Sequence, residues 1–186
     1  MPGSTVPKLF LFPPLTLVIG GAASGKSALA ERLVVATGRP RRYVATAEAW
    51  DDEMAARIAA HRARRDGWTT VEAPHDLAGA LAGAAAGEAV LVDCATLWLT
   101  NRMLAGADPA AEAAALAAAL AACAAPVVVV TNEVGQGIVP DNALARAFRD
   151  AQGRLNQRLA AAAGRVVLVT AGLPLALKGG LPGGDW

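Results

Sequence analysis

Short runs that are apolar at consecutive positions recur along the chain. They alternate with longer segments in which apolar residues return every three or four positions. LTLVIG, AVLVDC, PVVVVTNE and RVVLVTAG are runs of the first kind. Side chains alternate faces along a strand, so a run that is apolar throughout predicts a strand covered on both sides. RRYVATA, residues 41–47, reads as a further strand and TTVEA as a short one. SALAERLVVAT predicts a helix directly after the first strand. DDEMAARIAAHRARR predicts another, with Asp51 or Asp52 as its cap and acid in its first turn. Residues 97–123 read as mostly helix, with a break near Asp108 and Pro109. Pro140 and Asp141 open a helix that runs to about Ala163, and RVVLVTAG is read as the last strand. Continuous apolar strands alternating with helices predict an α/β fold: a mostly parallel sheet with helices on both faces. No repeat or linker interrupts the pattern. The organisation expected is an irregular arm over residues 1–14, one domain over 15–178, and a flexible, glycine-rich tail over 179–186.

Composition narrows the class. A length of 186 residues suits one domain with a full core. The net charge of +1 gives no footprint for nucleic acid, which calls for a basic surface. The apolar stretch over residues 104–130 is mostly alanine and is broken by Asp108, Pro109, Glu112 and Pro126. A membrane span needs about 20 strongly apolar residues, so this stretch reads as a helix followed by a buried strand. The N-terminus lacks the basic region and cleavage site of a signal peptide. Cys94 and Cys123 have neither metal-ligand spacing nor the number for a disulfide framework, which makes a reducing cytoplasm the expected compartment.

The strongest motif is GGAASGKS, which matches G-x-x-x-x-G-K-[ST] between a predicted strand and a predicted helix. Gly20, Gly21, Ala22, Ala23, Ser24, Gly25, Lys26 and Ser27 would form a phosphate-binding loop. Its glycines let backbone N–H groups approach a phosphate, and the helix N-terminus adds its positive end. Lys26 would reach the outer phosphates of a nucleotide, and Ser27 would hold Mg²⁺. Two carboxylates end predicted strands: Asp93 in AVLVDC and Glu133 in PVVVVTNE. Ligands of such sheets bind beyond the carboxyl ends of the strands, so both acids belong to the edge that carries the loop. Asp93 reads as the acid that holds Mg²⁺, directly or through water. Glu133 is open between a general base, a partner of another site residue, and a cap for the loop that follows.

His61 is one of two histidines, and Arg62, Arg64 and Arg65 follow it closely. Glu53, Arg57 and His61 share one helical face. Spacing alone leaves two readings: a solvated helix end whose arginines complement the helix dipole, or a phosphoryl-handling nucleophile. The guanidinium groups disfavour imidazolium and the helix C-terminus favours it, so the two effects oppose each other. His75, in EAPHDL, reads as a helix-start residue. In the helix from Asp141, Arg146, Arg149, Arg154 and Arg158 alternate with Leu144, Phe148, Leu155 and Leu159, as in an amphipathic helix with a solvated basic face.

Taken together, GGAASGKS, ATAEAWDDEMAARIAAHRAR, VLVDCATLWLTN and TNEVGQGIVPDNALARAFRDAQGRLNQRLA resemble the bifunctional adenosylcobinamide kinase/adenosylcobinamide-phosphate guanylyltransferase family of coenzyme B12 assembly. The likeness runs over about residues 16–178. Its TNEVGxGIVP and DDEMxxRIxxH runs are specific to the family, whereas the phosphate loop is generic. The resemblance implies a P-loop NTPase with a RecA-like sheet. It also implies two reactions: phosphorylation of adenosylcobinamide by ATP or GTP, then transfer of GMP from GTP, giving adenosylcobinamide-GDP and pyrophosphate. A GMP–histidine intermediate is implied, and the family's histidine falls on His61. The family's guanine-nucleotide contacts fall on the phosphate loop, on Ala45, Thr46 and Ala47, on Arg62, Ala63, Arg64 and Arg65, on Glu72 and on Asp93. A homotrimer is implied as well. The rival readings are a P-loop small-molecule kinase without guanylyl transfer and a non-catalytic nucleotide-binding module.

Overall fold

Strand β1, Leu15–Gly20, is buried at nearly every position because it runs through the middle of a sheet with helices on both sides. The computed structural model describes residues 12–49 and 66–181. Helix α1 (Lys26–Val35) follows β1, and then come β2 (Arg41–Ala45), β3 (Trp68–Glu72), α2 (Leu77–Ala82) and β4 (Ala89–Asp93). The chain continues through α3 (Ala95–Leu104), α4 (Pro109–Ala122), β5 (Val127–Asn132), α5 (Ala143–Ala162), β6 (Arg165–Thr170) and β7 (Leu173–Lys178). The strand order is β3-β2-β4-β5-β1-β6-β7. All pairings are parallel except β6 with β7. This is the mostly parallel sheet with helices on both faces that was expected, with β5 standing between the phosphate-loop strand and the strand that ends in Asp93.

The two faces have separate cores. On one, Leu29, Leu33 and Val34 of α1 pack on Val18, Leu91, Val128, Val130 and Val167. On the other, Leu77, Leu81, Trp98, Leu99, Leu116, Leu155 and Leu159 of α2–α5 pack on Leu17, Val90, Val92, Val127 and Val129. Alternate residues of the same strands feed the two cores, which is why these strands are apolar at most positions. Among the described residues no helix is long and apolar enough to cross a membrane.

Several boundaries differ from the sequence reading. The expected strand over 41–47 ends at Ala45. The break expected near Asp108 and Pro109 is present: Asp108 caps a new helix through Ala110 N–H and Ala111 N–H, with Pro109 in its first turn, and the helix before it starts at Ala95 rather than 97. The helix placed from Pro140 starts at Ala143, where Asn142 Oδ1 accepts from Ala145 N–H at 2.7 Å. RVVLVTAG is not the last strand. Ala171 (φ 52) and Gly172 (φ 79) form a tight turn with both residues left-handed, and β7 returns antiparallel along β6. The helix expected over residues 51–65 lies outside the described residues.

Candidate nucleotide-binding site

The ladder of the sheet brings the site's strand ends to one edge. Glu72 pairs with Ala45, Ala45 with Asp93, and Gly20 with Asn132. The phosphate loop leaves β1 at this edge and turns into α1. Two of its glycines are dictated by space. A Cβ on Gly20 would fall 2.5 Å from the Val169 carbonyl oxygen of β6 and 2.6 Å from Ser24 Oγ. Gly25 takes φ +93, which L side chains rarely adopt, and its Cβ would fall 3.2 Å from Gly172 Cα. The loop is tied to the β6–β7 turn, because Gly172 N–H donates to Ser24 O at 2.9 Å.

This loop fits a phosphate chain. No side chain caps the N-terminus of α1 and no acid stands in its first turn, so its orphan N–H groups and positive end are open to an anion. Ser24 is buried and its Oγ has no hydrogen-bond partner. Lys26 is folded back over the loop, with Nζ donating to Gly21 O at 2.9 Å from an exposed position.

Asp93 faces the same side of the sheet as α1. Ala89 and Leu91, four and two residues earlier on β4, pack in the core that α1 covers, and strand alternation puts Asp93 with them. Its Oδ2 accepts a hydrogen bond from the phenol of Tyr43 at 2.8 Å. The next residue, Cys94, is buried, and its thiol is pushed up to about 11, chiefly by burial and then by the charge of Asp93. The positive charge of Lys26 acts on the same thiol in the opposite sense, as the weakest of the named influences. Among the described residues no three histidine, cysteine or carboxylate side chains form a metal cage. The hydroxyl of Ser27 and the carboxylate of Asp93 are hard oxygen donors of the kind Mg²⁺ takes alongside nucleotide phosphates, so the donor set fits that ion.

The other expected positions are placed as follows. Ala45 and Thr46 are buried, Ala47 is half-buried and Glu72 is exposed at the same edge. The Thr46 hydroxyl is already engaged: it donates to Cys94 O at 2.8 Å and accepts from Cys94 N–H at 2.7 Å. Its backbone is engaged as well: the N–H donates to Asp93 O at 3.3 Å and the carbonyl accepts from Asn101 Nδ2 at 2.9 Å. His61, Arg62, Ala63, Arg64 and Arg65 lie outside the described residues. Glu133 follows β5. Its N–H donates to Gly20 O at 3.1 Å, and its Oε1 accepts from Gly135 N–H at 2.5 Å. Arg149 of α5 donates to Gly135 O. Of the three roles left open for Glu133, this geometry favours the loop cap. His75 precedes α2, whose cap is Asp76, and its Nε2 lies 2.8 Å from Glu48 Oε1.

Two features were not found from the sequence. One is the Tyr43–Asp93 contact. Its signal was the chain's one tyrosine, placed between Arg41–Arg42 and Val44–Ala45 in the predicted strand. The other is a buried polar network behind the site. Thr131 Oγ1 donates to Asn156 Oδ1 at 2.7 Å, Gln152 Nε2 donates to Thr131 Oγ1 at 2.9 Å and to Asn156 Oδ1 at 2.8 Å, and Asn156 Nδ2 donates to Asn132 O at 3.0 Å. Thr96 Oγ1 accepts from Asn132 N–H at 2.8 Å. The network ties the end of β5 to α3 and α5. Its signal was Gln152 and Asn156, four apart beside Leu155 and Leu159 on the apolar face of α5.

Comparison with known proteins bears on this edge of the sheet. Residues 16–177 match the family model described as cobinamide kinase / cobinamide phosphate guanyltransferase. The chain is 48% identical over 168 residues to the bifunctional adenosylcobalamin biosynthesis protein CobP of Pseudomonas aeruginosa, covering 88% of this chain and 96% of that protein. It is 44% identical over 181 residues to the bifunctional adenosylcobalamin biosynthesis protein CobU of Escherichia coli, covering 88% and 99%. Among solved structures, the RadB recombinase aligns with a TM-score of 0.49 at 20% identity, over 84% of this chain and 74% of that one.

Proposed function

The chain belongs to the cobinamide kinase / cobinamide phosphate guanyltransferase family, and from that premise we propose that it carries out both reactions of coenzyme B12 assembly. It phosphorylates adenosylcobinamide with ATP or GTP, and it then joins GMP from GTP to the new phosphate. The observation that supports this reading most is that the uncapped phosphate loop with Lys26 and the strand end at Asp93 lie at one edge of the sheet, as the parallel pairing of β1, β5 and β4 requires.

In the kinase step the loop N–H groups and Lys26 hold the phosphate chain. Lys26 exchanges its bond to Gly21 O for the outer phosphates. A magnesium ion, when bound, neutralises phosphate charge, and Ser27 and Asp93 would hold it. The hydroxyl of the aminopropanol arm attacks the terminal phosphorus, and the nucleoside diphosphate leaves. In the second step the neutral imidazole of His61 attacks the α-phosphorus of GTP, forming an N–P bond as the bond to pyrophosphate breaks. The phosphate oxygen of adenosylcobinamide phosphate then displaces the imidazole. Splitting one transfer into two lowers each barrier. Arg62, Arg64 and Arg65 offset charge on the transferring group and on pyrophosphate. Ala45, Thr46, Ala47, Ala63 and Glu72 complete the nucleotide contacts. The unit that does this is residues 15–178, acting as a homotrimer in the cytoplasm.

The test is to incubate purified protein with adenosylcobinamide, Mg²⁺ and either ATP or GTP, and to follow the corrinoid by mass spectrometry. The expected result is adenosylcobinamide phosphate with either nucleotide and adenosylcobinamide-GDP plus pyrophosphate only where GTP is present. Phosphorylation that never proceeds to the GDP-linked product would reduce the protein to a kinase. Nucleotide binding with neither product would leave only a binding module.

A further inference from the structure

We propose that Tyr43 is a positioning residue for the metal-binding carboxylate. Its phenol fixes one oxygen of Asp93 so that the other is presented to the cation bound with the nucleotide. This rests on the reading above that Asp93 holds Mg²⁺.

Tyr43 lies on β2 and is 1% exposed. It is in register with Leu91, two residues before Asp93 on the neighbouring strand. The side chain therefore runs up the face of the sheet that α1 covers and reaches the strand end at Asp93 Oδ2, 2.8 Å away. Trp68 of β3 meets the ring edge-on, with centroids 5.8 Å apart and planes at 77°. Arg41 in turn lies 5.5 Å over Trp68. A side chain packed this way has little rotational freedom, so its hydroxyl is a fixed donor.

Packing alone does not call for that hydroxyl. A phenylalanine would fill the same volume against α1, β3 and β4. A buried hydroxyl carries a cost unless it is bonded, and among the described residues this one donates to the carboxylate proposed as the metal ligand. A carboxylate at a strand end turns freely about its last torsion. One bonded oxygen removes that freedom and leaves Oδ1, which makes no hydrogen bond among the described residues, for the cation. Outer partners of this kind orient ligands and commonly change metal affinity by about tenfold or more when removed.

Two measurements test the assignment. The first compares GTP affinity with and without Mg²⁺ in the wild-type protein and in Tyr43→Phe, by calorimetry. The ratio of the two affinities is expected to fall about five- to tenfold in the variant, while metal-free affinity stays within about twofold. A merely structural role would lower the melting temperature and leave the ratio unchanged, and an unchanged ratio in folded variant overturns the proposal. The second needs no substitution of shape. Tyr43 is the only tyrosine in the chain, so global incorporation of 3-fluorotyrosine gives one ¹⁹F resonance. That resonance is expected to shift when Mg²⁺ is added to the GTP complex and to broaden when Mn²⁺ is used. If GTP affinity rises with metal but the resonance neither shifts nor broadens, Tyr43 is not coupled to the site and the proposal fails alone. If wild-type GTP affinity does not respond to metal, the metal role of Asp93 fails and takes the proposal with it.

Discussion

Replacing Gly20 by alanine puts a methyl group where the sheet has no room. The Cβ would fall 2.5 Å from the Val169 carbonyl oxygen, whereas ordinary contact begins at 3.4 Å. That oxygen belongs to the β1–β6 ladder, in which Gly20 pairs with Val169, so it cannot swing aside as a side chain would. Ser24 Oγ, the other obstacle at 2.6 Å, sits inside the loop itself. The first residue of the phosphate loop must therefore move away from β6 and carry the loop with it. Forced repacking of this kind costs about 1–3 kcal/mol, which lowers the melting temperature by roughly 2–12 °C in a domain of this size. The larger effect falls on nucleotide binding. Hydrogen bonds to phosphate hold over a distance window of only about half an ångström. Losing one or two charge-assisted bonds, at about 1.5–3 kcal/mol each, weakens GTP at least about tenfold. The assay is calorimetric GTP titration beside thermal unfolding, with Gly21→Ala as the stability control, because its Cβ meets nothing within 4 Å. Gly20→Ala protein with wild-type melting and wild-type GTP affinity would refute this account of the loop.

Three further outcomes follow from the same geometry. Glu133→Gln keeps an oxygen that can accept from Gly135 N–H, so turnover is expected to stay within about threefold of wild type; a loss of a hundredfold or more, the low end of a general base's contribution, would restore the base reading. Asn156→Leu strips partners from Thr131, Gln152 and the Asn132 carbonyl in a buried network, and is expected to cost about 3 kcal/mol and lower the melting temperature by roughly 6–12 °C; calorimetry checks it. The Cys94 thiol is buried and its pKa is raised from 9.0 to about 11. The thiolate is the reactive form, so in native, metal-free protein at about pH 8.5 iodoacetamide should label the partly exposed Cys123 and leave Cys94 unmodified until the chain unfolds. Peptide mapping reads the result.

Much of this edge was legible because its determinants are local. The phosphate loop is contiguous, and the strands that lead to Asp93 and Glu133 open with unbroken apolar runs, AVLV and VVVV, as double-sided burial favours. β7 was hidden because LPLALK leaves Leu173, Leu175 and Leu177 exposed and begins with no break longer than a two-residue turn. The partition of residues 95–122 into two helices was legible at Asp108 and Pro109, which interrupt the alanine run as a cap and a first-turn proline. The Tyr43–Asp93 bond joins residues 50 apart in sequence, and only the parallel pairing of β2 with β4 brings them together. The Glu133 alternatives could not be separated without knowing which way the loop turns after β5. His61 and its arginines rest on the family resemblance alone.

The most direct test of the central claim uses GTP labelled on its α-phosphate. The account predicts that the protein with Mg²⁺ retains label through denaturation, that acid releases it, as for a phosphoramidate, and that His61→Ala retains none. Folded wild-type protein that binds GTP and turns over adenosylcobinamide phosphate, yet never carries the label, would contradict transfer through histidine.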